Sequence, residues 1–115
     1  MAISAANKNN GRQWPLVARQ AFAFDEMEDA VAVEAIDLPV NAIVIGGSLV
    51  ITEVFNSGTS DTIAVSGGGT TLGATDVTAT GRTALTLDGA INSLGDTVDL
   101  TWDGTGTAPT TGAGF

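Results

Sequence analysis

Apolar residues in several short segments of this chain recur at every second position, which is the pattern of half-buried β-strands. Towards the C-terminal end, Val98, Leu100 and Trp102 share one parity, and the polar residues between them share the other. Ile63 and Val65 repeat the pattern in the middle of the chain. We therefore predict strands over both segments, with Trp102 facing the protein core or a subunit interface rather than stacking on a sugar.

Two segments nearer the N-terminus are also predicted to be strands. Residues 14–24 alternate, and Pro15, which has no N–H, places this strand at a sheet edge or at its own beginning. Residues 30–36 contain alanine and glutamate, which favour a helix, but also Val31 and Val33, which favour a strand. We predict a strand there.

A longer apolar segment runs from residue 43 to residue 55 and contains the pair Gly46-Gly47. A glycine pair inside a strand pattern indicates a bulge or a bend, so we predict one long strand. The turn-forming residues 56–61 follow, and they predict a hairpin to the next strand.

Three consecutive glycines, at positions 67–69, predict a hairpin loop. The likeness of this run to a phosphate-binding loop is superficial, because the P-loop lysine and a following helix are both missing. Further short strands are predicted around residues 77–79 and 84–87.

About seven such strands, each closed by Gly, Asp or Asn, predict an all-β fold, an antiparallel β-sandwich or jelly roll with an extended N-terminal arm. We divide the chain into a flexible arm (residues 1–12), a β-sandwich domain (13–103) and a Gly/Thr-rich C-terminal tail (104–115). The terminal Phe115 is expected to fray, with insertion into a neighbour's groove as the alternative.

The composition agrees with one folded domain. The chain has 115 residues, of which 43% are hydrophobic and 15% charged, whereas disordered chains combine low hydrophobicity with high charge. Its apolar runs are far shorter than the roughly 20 residues that cross a bilayer, and its N-terminus lacks the apolar centre of a secretory signal peptide. We therefore expect assembly in the cytoplasm and no membrane partner.

Charge is distributed unevenly along the chain, whose formal net charge is −9. Lys8, Arg12 and Arg19 all precede the first acid, Asp25, and the thirteen acids that begin there are accompanied by Arg82 alone. Because an acidic body repels the phosphate backbone, we expect no nucleic-acid partner. The pattern predicts a basic arm on an acidic body.

The residue types that most often carry out catalysis are missing. The chain contains no histidine, cysteine or tyrosine, so the usual pairs of nucleophile and base cannot be built. Glu53 shares its parity with Leu49, Ile51 and Phe55, and it is the carboxylate that a hydrolase would use. A position at a strand end or an oligomer interface is the preferred interpretation. We predict no enzyme, no catalytic residue and no cofactor.

Four aspartates near the C-terminal end could in principle supply oxygen ligands to calcium. They are Asp88, Asp96, Asp99 and Asp103. They lack the spacing of an EF-hand loop, and Asp99 and Asp103 lie roughly 13 Å apart along an extended strand. We therefore predict a solvated face and no metal site.

The segment from residue 37 to residue 66 carries a resemblance to a known family. The stretches LPVNAIVIGG at 38–47, TEVFNS at 52–57 and SDTIAV at 60–65 resemble small virion structural proteins of tailed bacteriophages, such as head decoration and minor capsid-associated proteins. The resemblance implies a β-sandwich that assembles on a virion as a homo-oligomer, a trimer being favoured, without catalytic residues. Such proteins often continue into a further strand after the Pro-Thr tail, so we expect that strand to be absent or supplied by a neighbour.

The preferred functional hypothesis is a virion protein that decorates or cements a bacteriophage capsid by packing against the major capsid protein or another virion protein. The predicted partner-binding residues, in the arm and the edge strand, are Lys8, Arg12, Trp14 and Arg19. The alternative is a glycan- or receptor-binding module of a phage tail or fibre, with Trp14 or Trp102 as the stacking residue. A hydrolase that uses Glu53 ranks last.

Overall fold

Short antiparallel strands account for almost all of the regular structure. The computed structural model describes residues 17–93 and 95–115, so the predicted arm (1–12) and residues 13–16 lie outside the described residues. One turn of 3-10 helix, Phe24–Glu26, follows the first strand. The strands of the described residues are β1 (Phe22–Ala23), β2 (Ala32–Asp37), β3 (Ala42–Ile43), β4 (Ser48–Glu53), β5 (Ser60–Gly67), β6 (Thr70–Asp76), β7 (Gly81–Ala84), β8 (Thr86–Leu87), β9 (Ile91–Asn92), β10 (Thr97–Thr105) and β11 (Ala113–Gly114).

The strands form two main sheets and a small ribbon, and all their pairings are antiparallel. One sheet has the order β1-β11-β4-β7, the other has the order β2-β10-β5-β6-β8, and β3 pairs with β9. Buried residues of both main sheets form a single hydrophobic core. The prediction of an all-β antiparallel sandwich is therefore confirmed. Within the described part of the chain, no helix has the length and apolar character needed to cross a membrane.

The core is built from the inward-facing parity of the longer strands. In β10, Val98, Leu100 and Trp102 are buried and alternate with more exposed residues, as the sequence pattern predicts. The ring of Trp102 stacks on that of Phe55 with 6.4 Å between centroids, and Phe55 lies at the same distance from Phe22. Because Phe22 belongs to β1 and Trp102 to β10, these three rings connect the two sheets.

Two predicted elements are confirmed. The segment predicted over residues 30–36 is a strand and not a helix: β2 covers Ala32–Asp37 and pairs with β10, whereas Ala30 lies in a turn with a φ of 58°. The glycine run forms a tight hairpin between β5 and β6, in which Gly68 and Gly69 have φ values of 60° and 74°. Positive φ at both central residues is the requirement of a two-residue type I′ turn, which glycine meets without strain.

The long strand predicted over residues 43–55 is wrong: it is divided into β3 and β4, which do not share a sheet. The pair Gly46-Gly47 marks the division. The N–H of Leu85 donates to the carbonyl of Gly47 at 3.0 Å, and a Cβ on Gly47 would lie only 2.6 Å from the Cδ1 atom of Leu85. Glycine therefore lets the chain pass close to Leu85, and the strand direction changes at this contact.

The hairpin predicted across residues 56–61 is also wrong, because this segment crosses between the sheets. β4 pairs with β7 and β11, whereas β5 pairs with β6 and β10. Asn56 ties the crossing to the C-terminal segment: its side-chain oxygen accepts the N–H groups of Thr110 and Thr111 at 2.7 and 3.0 Å. The chain does bend at residues 58 and 59, but the next strand along the chain joins the opposite sheet.

The strand predicted over residues 14–24 is much shorter than expected. In its described part only Phe22 and Ala23 pair, and residues 17–21 are exposed. The reason is the partner strand, because β1 pairs with β11, which offers just two residues.

Two predictions after the glycine hairpin are corrected as well. Residues 77–79 follow β6 and do not form a strand, although Val77 is buried and its backbone is bonded to two other segments. Residues 84–87 are divided at Leu85 between β7 and β8, which belong to different sheets. The strand β6 itself was not predicted.

The C-terminal residues complete the four-stranded sheet. β11 lies between β1 and β4, and Phe115 exchanges two backbone hydrogen bonds with Val50, at 2.8 and 2.9 Å. The expectation that Phe115 frays is therefore wrong. A strand does follow the Pro-Thr segment, and this chain supplies it.

Candidate interaction site

Arg19 is the only one of the four predicted partner-binding residues that the structure describes; Lys8, Arg12 and Trp14 lie outside the described residues. Arg19 is exposed, and its guanidinium carbon lies 3.8 Å from the centroid of the Phe115 ring. This is the geometry of a cation–π contact. Because the backbone of Phe115 is bonded to Val50, the contact places the guanidinium of Arg19 beside the four-stranded sheet.

A groove of about 480 Å³ opens beside Arg19, and we call it the inter-sheet groove. Both main sheets contribute to it, and its lining is predominantly apolar. Residues 17–20 form part of its border. The side chains that line its interior come from Phe22, Ala35, Ile36, Leu49, Val65, Leu85, Val98 and Leu100.

The two edge strands that line the groove differ in length. β1 and β2 are the edge strands that line it, but β1 has two residues and β2 has six. The half-buried Ala35 and Ile36 of β2 line the groove together with Phe22 of β1. Sequence periodicity predicted a longer first strand at this edge and so missed the groove.

A second apolar surface lies on the ribbon of β3 and β9. Ile43 and Ile91 are paired in register and are 49% and 59% exposed, and the nearby Val40 is 58% exposed. The ribbon is anchored by the buried Asn92, whose side-chain nitrogen donates to the carbonyls of Leu38 and Pro39 at 3.2 and 3.1 Å. The exposed isoleucines are therefore held on an ordered element.

Trp102 is part of the core and is not available to stack on a ligand, as the parity of β10 predicts. It is 6% exposed, and its indole N–H donates to the carboxylate of Asp61 at 3.0 Å. Asp61, which is 1% exposed, also accepts the backbone N–H of Ser57 at 2.9 Å. The glycan-binding alternative consequently depends on Trp14 alone.

Two exposed carboxylates, those of Asp76 and Asp96, accept local hydrogen bonds. The backbone N–H groups of Gly68 and Thr97 donate to Asp96 at 3.1 and 2.8 Å, and they hold the pKa of this carboxyl below its usual value. The hydroxyl and backbone N–H of Thr78 lower the pKa of Asp76 in the same way. These aspartates stabilise turns next to β5, β6 and β10.

The structure also locates the residues considered for metal binding and catalysis. Among the residues that it describes, no three acidic side chains lie close enough together to hold a metal ion. Glu53 is exposed as the last residue of β4, which agrees with its interpretation as a strand-end carboxylate. The features left for recognition are an apolar groove, an apolar ribbon and a cation fixed beside the groove. Comparison of the chain with family models, with curated proteins and with solved structures gave no match.

Proposed function

We propose that this protein is a non-enzymatic structural component of a bacteriophage virion, which decorates or cements the capsid by packing against the major capsid protein or another virion protein. The observation that carries the proposal is the separation of charge. Residues 1–19 have a formal charge of +3, whereas residues 25–115, with thirteen acids and Arg82, have a formal charge of −12. A basic segment fixed to an acidic domain suits binding to an acidic protein surface.

The order of the charged residues along the sequence supports a division of roles between arm and domain. In the sequence, Lys8 and Arg12 precede the first residue of β1 by 14 and 10 residues, while Trp14 and Arg19 precede it by eight and three. The acidic sandwich faces away from the shell and limits non-specific contact with nucleic acid. We propose a homo-oligomer, with a trimer favoured, located on the virion and assembled in the host cytoplasm, with neither membrane nor nucleic acid as a partner. The resemblance of residues 37–66 to small phage virion proteins supports this choice.

Attachment to capsid shells tests the proposal. Shells are purified from the virus whose genome encodes the chain, after deletion of its gene, and are mixed with the full chain or with a variant that lacks residues 1–12. We expect the deletion to abolish co-sedimentation with the shells, and Lys8→Gln with Arg12→Gln to weaken it. Binding of the full chain should also weaken between about 0.05 M and about 0.5 M NaCl, because salt screens exposed charges.

Two controls make the result decisive. Arg82→Gln removes an exposed cation of β7, outside the arm, and should leave attachment unchanged. Far-UV circular dichroism checks that each variant keeps the β-domain. Unchanged attachment of the chain without residues 1–12 would contradict the proposed role of the arm.

A further inference from the structure

We infer that the inter-sheet groove is a binding site for a small amphipathic anion, of the class of medium-chain alkyl carboxylates. The alkyl chain lies between the two sheets, and the carboxylate lies at the opening beside Arg19 and Arg82. This inference goes beyond the proposed function and does not depend on it, because it concerns a small ligand and not a virion partner.

The first argument is the size and depth of the groove. Its volume of about 480 Å³ falls within the range of about 300–1,000 Å³ that is typical of small-molecule sites. Five of the residues that line it belong to the hydrophobic core and are at most 8% exposed, namely Phe22, Leu49, Val65, Val98 and Leu100. The groove therefore reaches the core through a narrow space, which suits an unbranched alkyl chain better than a bulky group or a flat protein surface.

The second argument is charge. Arg19 lines the groove, and the Nε–H of Arg82 donates at 2.7 Å to the hydroxyl of Ser48, which also lines it. These two are the arginines of the described residues. Among the described residues that line the groove none is acidic, although residues 25–115 contain thirteen acids. The opening is therefore a positively charged region of an acidic domain, and it favours an anion over a cation.

The two arginines flank the same part of β4. Val50 is paired in register with Arg82 on one side and exchanges backbone hydrogen bonds with Phe115 on the other. Arg19 lies over the ring of Phe115, and both Val50 and Phe115 line the groove. An apolar interior with a few charged groups at its opening is the arrangement that orients an amphipathic ligand, with its tail inside and its charged end outside.

The test is a titration of the full chain with decanoate, kept below the concentration at which micelles form. The protein is labelled with ¹⁵N and with ¹³C at its methyl groups. We expect shift changes and ligand contacts at the methyl groups of Leu49, Val65 and Leu85, which line the groove. Across octanoate, decanoate and dodecanoate, affinity should rise by up to about fourfold for each added methylene group, because each one is buried.

Ligands of equal chain length and different charge test the role of the arginines. Decanoate should bind more tightly than decanol, and decyltrimethylammonium should bind most weakly. Arg19→Gln with Arg82→Gln should weaken decanoate binding about two- to tenfold, since both arginines are exposed and their charges are partly screened. The same double variant should leave decanol binding unchanged.

A pair of variants in β2 tests the position of the alkyl chain. Ala35→Leu places a larger side chain in the groove and should weaken both decanoate and decanol binding, whereas Ala32→Leu, at an exposed position of the same strand, should weaken neither. Far-UV circular dichroism checks that both variants fold. The ligand contacts in the unmodified chain locate the site independently of these variants.

Each other outcome overturns the inference. No binding of decanoate means that the groove does not take an alkyl carboxylate. Equal affinity for decanoate and decyltrimethylammonium means that the arginines do not select the ligand. Shift changes confined to Ile43 and Ile91 place the ligand on the β3–β9 ribbon, and displacement of decanoate as sedimentation detects dimers assigns the groove to a second copy. None of these results depends on attachment to capsid shells, so this inference and the proposed function fail separately.

Discussion

At the scale of single residues, Asp61 is the polar group on which the interior depends most. Its two carboxylate oxygens accept the indole N–H of Trp102 and the backbone N–H of Ser57, and its own carbonyl accepts the N–H of Val77 at 3.1 Å. One side chain therefore joins β5 to β10 and to the segment that crosses between the sheets. A buried polar group of this kind is stabilising only while its partners remain satisfied.

Asp61→Ala should accordingly destabilise the domain strongly. The substitution leaves the Trp102 and Ser57 donors without their acceptor, at a cost of about 1–3 kcal/mol for each buried group. Asp61→Asn keeps one acceptor oxygen and should have an intermediate effect. Urea unfolding monitored by circular dichroism gives the free energies, and Asp103→Ala, at an exposed position of β10, is the control. Equal stability of the Asp61→Ala and Asp103→Ala variants would contradict this role.

Sequence periodicity predicts the burial of Trp102 but does not identify the carboxylate that accepts the hydrogen bond of its indole N–H. The parity of Val98 and Leu100 is local information, which is enough to place Trp102 in the core. Its hydrogen-bond partner, Asp61, lies 41 residues away along the chain, and no local sequence pattern indicates that pairing. The sequence contains a weak signal, because Asp61 shares the inward parity of Ile63 and Val65, but aspartate at this position equally indicates a turn.

At the scale of elements, β11 has only two residues, yet it lies in the interior of its sheet. Its two residues pair with β1 on one side and with β4 on the other. Gly114 makes this possible, because a Cβ there would overlap the carbonyl oxygen of Val50 and lie 2.9 Å from the ring of Phe22. The close approach of this residue to the backbone of Val50 and the ring of Phe22 requires glycine at this position.

Gly114→Ala should therefore loosen the four-stranded sheet. Backbone atoms must move to admit the methyl group, at a cost of about 1–3 kcal/mol, as for other overpacked sites. Gly73→Ala in β6 is the matched control, since a Cβ there meets nothing within 4 Å. Thermal unfolding should show a clear decrease in Tm for the first variant alone. A Tm for Gly114→Ala as high as that of Gly73→Ala would show that the sheet does not depend on this close approach.

The elements that sequence analysis predicted are those with large side chains on one parity, such as β5 and β10. β6 was missed because Leu72 is its only large apolar residue and Gly73 interrupts its middle. β11 consists of alanine and glycine, so it has no apolar pattern of its own, and its position is recognised only from its pairing with β1 and β4.

At the scale of the whole molecule, strand count and turn spacing are enough to predict an antiparallel sandwich, but not the path of the chain through it. The segment at Gly46-Gly47, the crossing at 56–61 and the division at Leu85 each transfer the chain between different sheets or the ribbon. At each of these points a local pattern favours continuing in the same sheet. Contacts with distant residues, such as those of Asn56 with Thr110, decide otherwise.

Charge separation also lowers the stability of the folded molecule as a whole. With thirteen acids and one arginine in residues 25–115, the domain repels itself, and this repulsion opposes folding. Lys8 and Arg12 offset part of the repulsion if the arm stays near the domain. Their removal with residues 1–12 changes the formal net charge of the chain from −9 to −11.

Salt should therefore stabilise the folded chain, and more so when the arm is removed. Between about 0.01 M and about 0.1 M NaCl the Debye length falls from about 30 Å to about 10 Å, which screens repulsion across the domain. We expect the free energy of unfolding to rise over this range, with a steeper rise for the chain that lacks residues 1–12. Glu26→Gln with Glu28→Gln, at exposed positions, should flatten the dependence because two like charges are removed. Equal slopes for the full and shortened chains would mean that the arm does not compensate the charge of the domain, while a fall in stability with salt would mean that repulsion is not the dominant electrostatic effect.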